Sequence, residues 1–200
     1  MDRAGDGRLN AAHTLPLDDS RRLLGGNLFF AGTGAVLETV GVEIDDALLS
    51  LWQARVERAR RHLGWDRTSP GSPLAPAVVA RRHATGVSLA VQAPIDQLFT
   101  ATELNEWALC ATVFERDPVR WANVAVDLLA DYLEDANDPA DVIPPVLEEH
   151  AALARLAVRA ASERRPDVVA LIEAASAHDV GHLLDETTLT LGAGKGSRSW

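Results

Sequence analysis

The sequence predicts an α+β fold: a small antiparallel sheet of about four strands packed with about five helices, followed by a short C-terminal hairpin. Three observations predict it. Two stretches, LDDSRRLLGGNLFFAGTGAVLETVGVEI from residue 17 and VVARRHATGVSLAVQAP from residue 78, alternate apolar and polar positions around turn residues. Between them ALLSLWQARVERARRHL repeats its apolar positions at helical spacing. After residue 94, prolines and aspartates divide the chain into further segments of helical period.

The elements follow in order. Residues 1–16, MDRAGDGRLNAAHTLP, carry charges and glycines where a signal peptide needs an unbroken apolar stretch, and are expected to form a disordered N-terminal tail. Gly25, Gly26 and Asn27 punctuate a first hairpin, in whose second strand Ala35, Leu37 and Thr39 face opposite to Val36, Glu38 and Val40. Asp45 and Asp46 cap the helix that follows, its apolar stripe running through Leu48, Leu51, Trp52, Val56, Ala59 and Leu63. Arginines suit its last turn, and Gly64 stops it.

The stretch DRTSPGSPLAPA is a loop. A second hairpin then turns at His83–Gly86, with Val87, Leu89 and Val91 on one face. Pro94 and Asp96 open a second helix, IDQLFTATELNEWALCATVFE, and Asp117-Pro118 opens a third. A fourth, EEHAALARLAVRAASERR, follows Pro144-Pro145, and Pro166 starts a fifth. VGHLL and TLTLG flank Asp185-Glu186 as the closing hairpin. The domain is expected to span residues 17–192, with 193–200 a tail or junction.

Composition narrows the function. Nineteen Lys+Arg against twenty-nine Asp+Glu give a net charge of −10, which argues against general nucleic-acid or anionic-membrane binding. No apolar run is long enough to span a bilayer. The single Cys110 rules out an internal disulfide and suits a reducing cytoplasm.

Glu103 and Glu106 lie three apart on the second helix and share a face, with Trp107 adjacent. Such a pair can bind a cation, hold an amino or guanidinium group, act as acid and base, or form a solvated helix face. Arg81 and Arg82, with Arg21 and Arg22, would either line a cationic rim for a carboxylate-bearing substrate or neutralise an acidic surface. The six histidines have no zinc-like spacing with Cys110, so no metal site is expected. Cys110 sits on the apolar side of its helix, where a thiol is packing rather than nucleophile.

The tail LTLGAGKGSRSW places Gly192, Gly194 and Gly196 around Lys195, the sole lysine, in a pattern that could form an anion nest. It departs from a phosphate loop, since Lys195 precedes Gly196 and Ser197 and no helix follows.

Taken with RRLLGGNLFFAGTGAVLE, the ending LLDETTLTLGAGKGSRSW resembles the N-terminal domain of cyanophycin synthetases and related Mur-ligase-type amide ligases. Arg22, Leu24, Gly25, Asn27 and Phe29 roughly occupy the family's opening R-x-L-x-G-P-N-x-[WY], with Gly26 in place of the proline. Leu191, Gly192, Gly194 and Arg198 match its closing L-G-x-G-x-x-x-R. Where the family carries Gly-His-x-x-Glu-His, Glu103 replaces the first histidine, Glu106 keeps the glutamate and Trp107 replaces the second histidine. That departure removes the metal-ligand character and weighs against hydrolysis.

The resemblance implies a non-catalytic module that binds a peptide or amino-acid substrate for a Mur-type ligase domain or subunit. ATP and Mg²⁺ would belong to that partner, with no cofactor in this chain. Glu103 and Glu106 would hold the cationic part of the substrate, and Asn27, Arg22, Arg81 and Arg82 its backbone or carboxylate groups. The alternatives are a stand-alone hydrolase using Glu106 as base, and a helical scaffold forming a homo-oligomer through residues 119–178.

Overall fold

The computed structural model describes residues 18–40, 44–66, 77–122, 147–184 and 188–199. Its sheet contains β1 (Asp19–Leu23), β2 (Gly34–Val40), β3 (Val78–Arg82) and β4 (Gly86–Gln92), all antiparallel, in the order β1-β2-β4-β3. The helices are α1 (Asp46–Leu63), α2 (Leu98–Arg116), α3 (Glu149–Glu163) and α4 (Pro166–Ala177). Residues 118–122 begin a further helical stretch, and the remainder of the predicted third helix lies outside the described residues. A second sheet, β5 (His182–Leu184), β6 (Leu189–Leu191) and β7 (Arg198–Ser199), closes the chain.

Alternation along the strands sorts the first sheet into two faces. Ala35, Leu37, Leu89 and Val91 join the main core beneath α1 and α2, which contributes Trp52, Leu104 and Trp107. Val36 and Ala90 point the other way and form a small cluster with Phe30, against which Leu23, Phe29 and Val79 pack. The loop between β1 and β2 therefore folds back over the outer face of the sheet. The expected pairing of the first hairpin is present, from Asp19↔Glu38 to Leu23↔Gly34, but the apolar LFF run belongs to the connection and not to the second strand.

Asn27 is the reason that loop holds its shape. Its Oδ1 accepts from the N–H groups of Phe29 (2.9 Å) and Phe30 (3.1 Å), while Nδ2 donates to the carbonyls of Gly25 (2.9 Å) and Gly32 (3.0 Å). At the opposite end of the sheet, a Cβ on Gly86 would lie 1.7 Å from the Thr39 carbonyl oxygen, so only glycine fits there.

The helix ends follow the sequence signals in part. Asp45 caps α1 by accepting from the Leu48 N–H at 2.8 Å, and Gly64 ends it with φ 74°. Glu148 caps α3 from its side chain. Pro166 occupies the first turn of α4. Asp96 does not cap α2, which begins at Leu98 with no side-chain bond from its own N-cap Gln97.

Polar groups join the helices to one another and to the sheet. Asn105 on α2, fully buried, donates to the Leu89 carbonyl of β4 at 2.8 Å and accepts from Trp52 Nε1 of α1 at 3.1 Å. The buried Arg55 of α1 donates to Thr112 Oγ1 on α2 at 2.6 Å, and its guanidinium carbon stands 5.7 Å from the Trp107 ring. Arg58 grips Glu149 of α3 with two bonds, 2.6 and 2.8 Å.

Candidate functional site

A cleft of about 480 Å³ opens where β1, the start of α2, the α3–α4 junction and β5 meet. One wall is β1 and its continuation, contributing Ser20, Arg21, Arg22 and Leu24; Ile95, Leu98 and Phe99 supply apolar surface before and at the start of α2. Glu163 and Arg165 stand at the α3–α4 junction. Leu24 and Phe99 are 44% exposed each, so large apolar groups lie open to a ligand here.

Of the sequence-predicted residues the cleft contains Arg21, which is ion-paired with Asp19 and Glu38, and Arg22. Strand alternation puts Arg22 on the inner face of β1, and its guanidinium carbon lies 4.1 Å from the centre of the Phe99 ring, a cation–π contact that fixes a positive charge over an apolar floor. Among the described residues of the lining, both carboxylates are engaged with the backbone. Asp96 accepts from the Arg165 N–H at 2.8 Å, and Glu163 accepts from the N–H groups of Phe99 and Thr100 at 2.7 and 2.8 Å.

Glu103 and Glu106 share a face of α2 as their spacing requires, but that face lies outside the cleft lining. Glu103 stands 3.9 Å from Arg159 of α3. Burial raises its carboxyl pKa, opposed by Arg159 and reinforced by Glu106. Burial also raises the Glu106 carboxyl. The Ser20 hydroxyl lies close enough to oppose that rise, yet makes no hydrogen bond of normal geometry. Cys110, one turn further along, is fully enclosed; burial, with the Glu106 charge, pushes its thiol far up, so it stays an unreactive thiol.

The other predicted residues fall elsewhere. Trp107 is 1% exposed and donates to the Leu147 carbonyl at 3.1 Å, on the side of α2 that meets α1 and α3. Asn27 organises its own loop. Arg82, near the far end of the sheet, donates to the Ile44 carbonyl and to Asp46 at 2.6 and 2.7 Å, while Arg81 is exposed on the same strand. The arginines thus divide between two separate edges of the sheet, Arg21 and Arg22 on β1 and Arg81 and Arg82 on β3.

The glycine-rich ending folds back. Gly192 and Gly194 take positive φ values of 80° and 65°, Gly194–Gly196 with Lys195 form a 3₁₀ turn, and Arg198 pairs with Leu191 as part of β7. Its three-stranded sheet packs through Leu189 against Val168 and Ile172 of α4.

Sequence reasoning missed Phe99, Glu163 and Arg165. Phe99 reads as one more apolar residue of a helix, and no local pattern tells that a residue at the end of α3 faces the start of α2. Among the described residues no three His, Cys, Asp or Glu side chains gather as a metal site, and no helix is long and apolar enough to cross a membrane. No family model matches the chain, and no curated protein matches it.

Proposed function

We propose that this chain is a non-catalytic binding module that holds a short peptide or an amino acid for an ATP-dependent amide ligase of the Mur type, carried on another domain or subunit. The observation that carries the reading is the cleft, in which Arg22 lies over Phe99 beside Leu24, Ile95 and Leu98. A fixed cation above an apolar floor suits a ligand with a carboxylate at one end and a hydrocarbon side chain at the other. Among the described residues of the lining both acids, Asp96 and Glu163, already accept backbone N–H groups, which suits holding a ligand better than proton transfer.

The ligase connection rests on the resemblance of the chain's opening and closing segments, with ATP and Mg²⁺ assigned to the partner. A cytoplasmic location fits the lone enclosed cysteine. Glu106 as a hydrolytic base fits less well, because it does not line the cleft.

Calorimetric titration of the purified chain with short acidic and arginine-containing peptides, free amino acids and ATP·Mg²⁺ tests this reading. Peptide or amino-acid binding that is lost in Arg22→Ala, without ATP binding, is the expected result. Binding of ATP·Mg²⁺ alone, or of none of these ligands, overturns it.

A further inference from the structure

Five consecutive residues at the first strand read Asp18, Asp19, Ser20, Arg21, Arg22. Each acid lies as far before Ser20 as an arginine lies after it. Such a segment is complementary in charge to a second copy of itself run antiparallel.

The fold puts this segment at a sheet edge. β1 is outermost in the order β1-β2-β4-β3, and no other strand pairs with it on its far side among the described residues. Ser20, Arg21 and Arg22 all line the cleft, although successive side chains of a strand point to opposite faces, so the cleft runs along the edge of β1 rather than over one face. Asp19 and Arg21 are both more than half exposed there.

We propose that β1 pairs antiparallel with β1 of a second copy of the chain about a two-fold axis at Ser20, joining the two four-stranded sheets into one continuous sheet. This goes beyond the binding reading above and does not depend on it.

Backbone geometry and charge fix the register. Residues directly opposite each other in an antiparallel pair either both turn their N–H and C=O groups toward the partner strand or both turn them away, and these directions alternate along a strand. Two copies of β1 can therefore meet only in registers that set one residue opposite its own copy. An axis at Asp19 opposes two aspartates, and an axis at Arg21 or Arg22 opposes two arginines. An axis at Leu23 leaves a single residue of the strand in the ladder. The axis at Ser20 sets Asp19 opposite Arg21 and Asp18 opposite Arg22, with no like charges facing.

No unpaired arginine is needed for this. Arg21 already pairs with Asp19 at 2.9 Å and with Glu38 at 3.1 Å, and Arg22 lies over Phe99. These contacts persist, and the Asp19–Arg21 pairs of the two copies lie side by side with opposite signs adjacent. Exclusion of like charges selects the register, while the backbone ladder supplies the attraction.

Sedimentation equilibrium of the full chain tests the pairing. A ladder this short falls below the roughly 1,000 Å² of a lasting interface, so a reversible dimer dissociating near about 100 μM is expected. Asp19→Arg places arginine opposite Arg21, and Arg21→Asp places aspartate opposite Asp19. Each variant alone should dimerise about ten-fold more weakly, and an equimolar mixture of the two should recover the parent's strength, because opposite charges face again. Circular dichroism checks that both fold. As a second measurement, Ser20→Cys should form an inter-chain disulfide under copper phenanthroline, since facing Cα atoms about 4.5–5.5 Å apart lie within disulfide range. Leu23→Cys should not, because this register holds it about 20 Å from its copy; the parent chain, with Cys110 enclosed, is the control.

A chain that stays monomeric up to about 1 mM, or a dimer that both charge variants leave intact, overturns the proposal. A mixture no stronger than either variant alone overturns the facing of Asp19 and Arg21. Cross-linking of Leu23→Cys in place of Ser20→Cys overturns the axis at Ser20.

Discussion

Glu163, the last residue of α3, closes the N-terminus of α2 by bonding twice to Thr100: one carboxylate oxygen accepts from its N–H at 2.8 Å and from its hydroxyl at 2.7 Å. The other oxygen accepts from the Phe99 N–H at 2.7 Å. A helix whose own N-cap makes no side-chain bond thus takes its cap from a residue more than sixty positions away.

Glu163→Ala should lower stability by about 1–2 kcal/mol, because it leaves two helix N–H groups and the positive end of the helix dipole without a partner. Glu163→Gln should cost less, since its amide oxygen still accepts. Urea denaturation measures both, and an alanine variant as stable as the parent would show that the cap is dispensable.

Asn105 links three elements from inside the core, donating to Leu89 and accepting from Trp52. Asn105→Leu keeps the branched shape but strands the indole N–H and the carbonyl, so a loss of about 2–3 kcal/mol is expected. Trp52→Phe should cost less in that background than in the parent, because the indole N–H has already lost its partner there and only the packing loss remains; additive losses in that double-mutant cycle would refute the linkage.

Acid should weaken the junction of α1 and α2. Asp45 bonds to Arg116 and to the Leu48 N–H, and these hold its carboxyl down from an ordinary 3.8 to about 2. Because folding depresses the pKa, the contribution is complete above about pH 4 and disappears as pH falls through about 2. Carboxyl-carbon NMR of the folded chain should find that midpoint, and it should return toward 3.8 in Arg116→Ala.

Glu106 carries the opposite sign. Burial raises its pKa in the folded chain, so its contribution is most favourable below the unfolded value and is lost as pH rises through the folded one. Glu106→Gln should therefore raise the melting temperature by about 1–3 °C near pH 7.5, with the gain shrinking toward pH 4. A gain independent of pH would assign the effect to packing.

Periodicity made most of the fold legible. The α1 stripe, the turn at His83–Gly86 and the breaks at Asp45, Gly64 and Pro166 are local signals, and the structure places elements at each. The errors arose where a local signal met a tertiary alternative. The LFF run reads as strand, yet Asn27 uses all its hydrogen-bonding capacity to bend it over the sheet, where Phe30 finds cover against Val36 and Ala90. Asp96 reads as a cap but bonds to Arg165, while the cap comes from Glu163.

The candidate site was legible at Arg21 and Arg22 alone among its named residues. Glu103 and Glu106 attract attention as a spaced pair, but spacing on one helix cannot show which neighbouring element covers that face. Arg55 reads as one of several surface arginines, and only the folded chain shows it buried between α1 and α2 with Thr112.

The sheet order has a kinetic consequence. β2 and β4 form the centre of the sheet, yet α1 and β3 separate them along the chain, so their pairing closes a loop of about fifty residues. The β3–β4 hairpin turns within a few residues and can form early at little entropic cost. Until β2 arrives, β4 presents an unpaired apolar edge containing Leu89 and Val91. The slow step of folding is thus also the interval in which the chain is most exposed to intermolecular strand pairing.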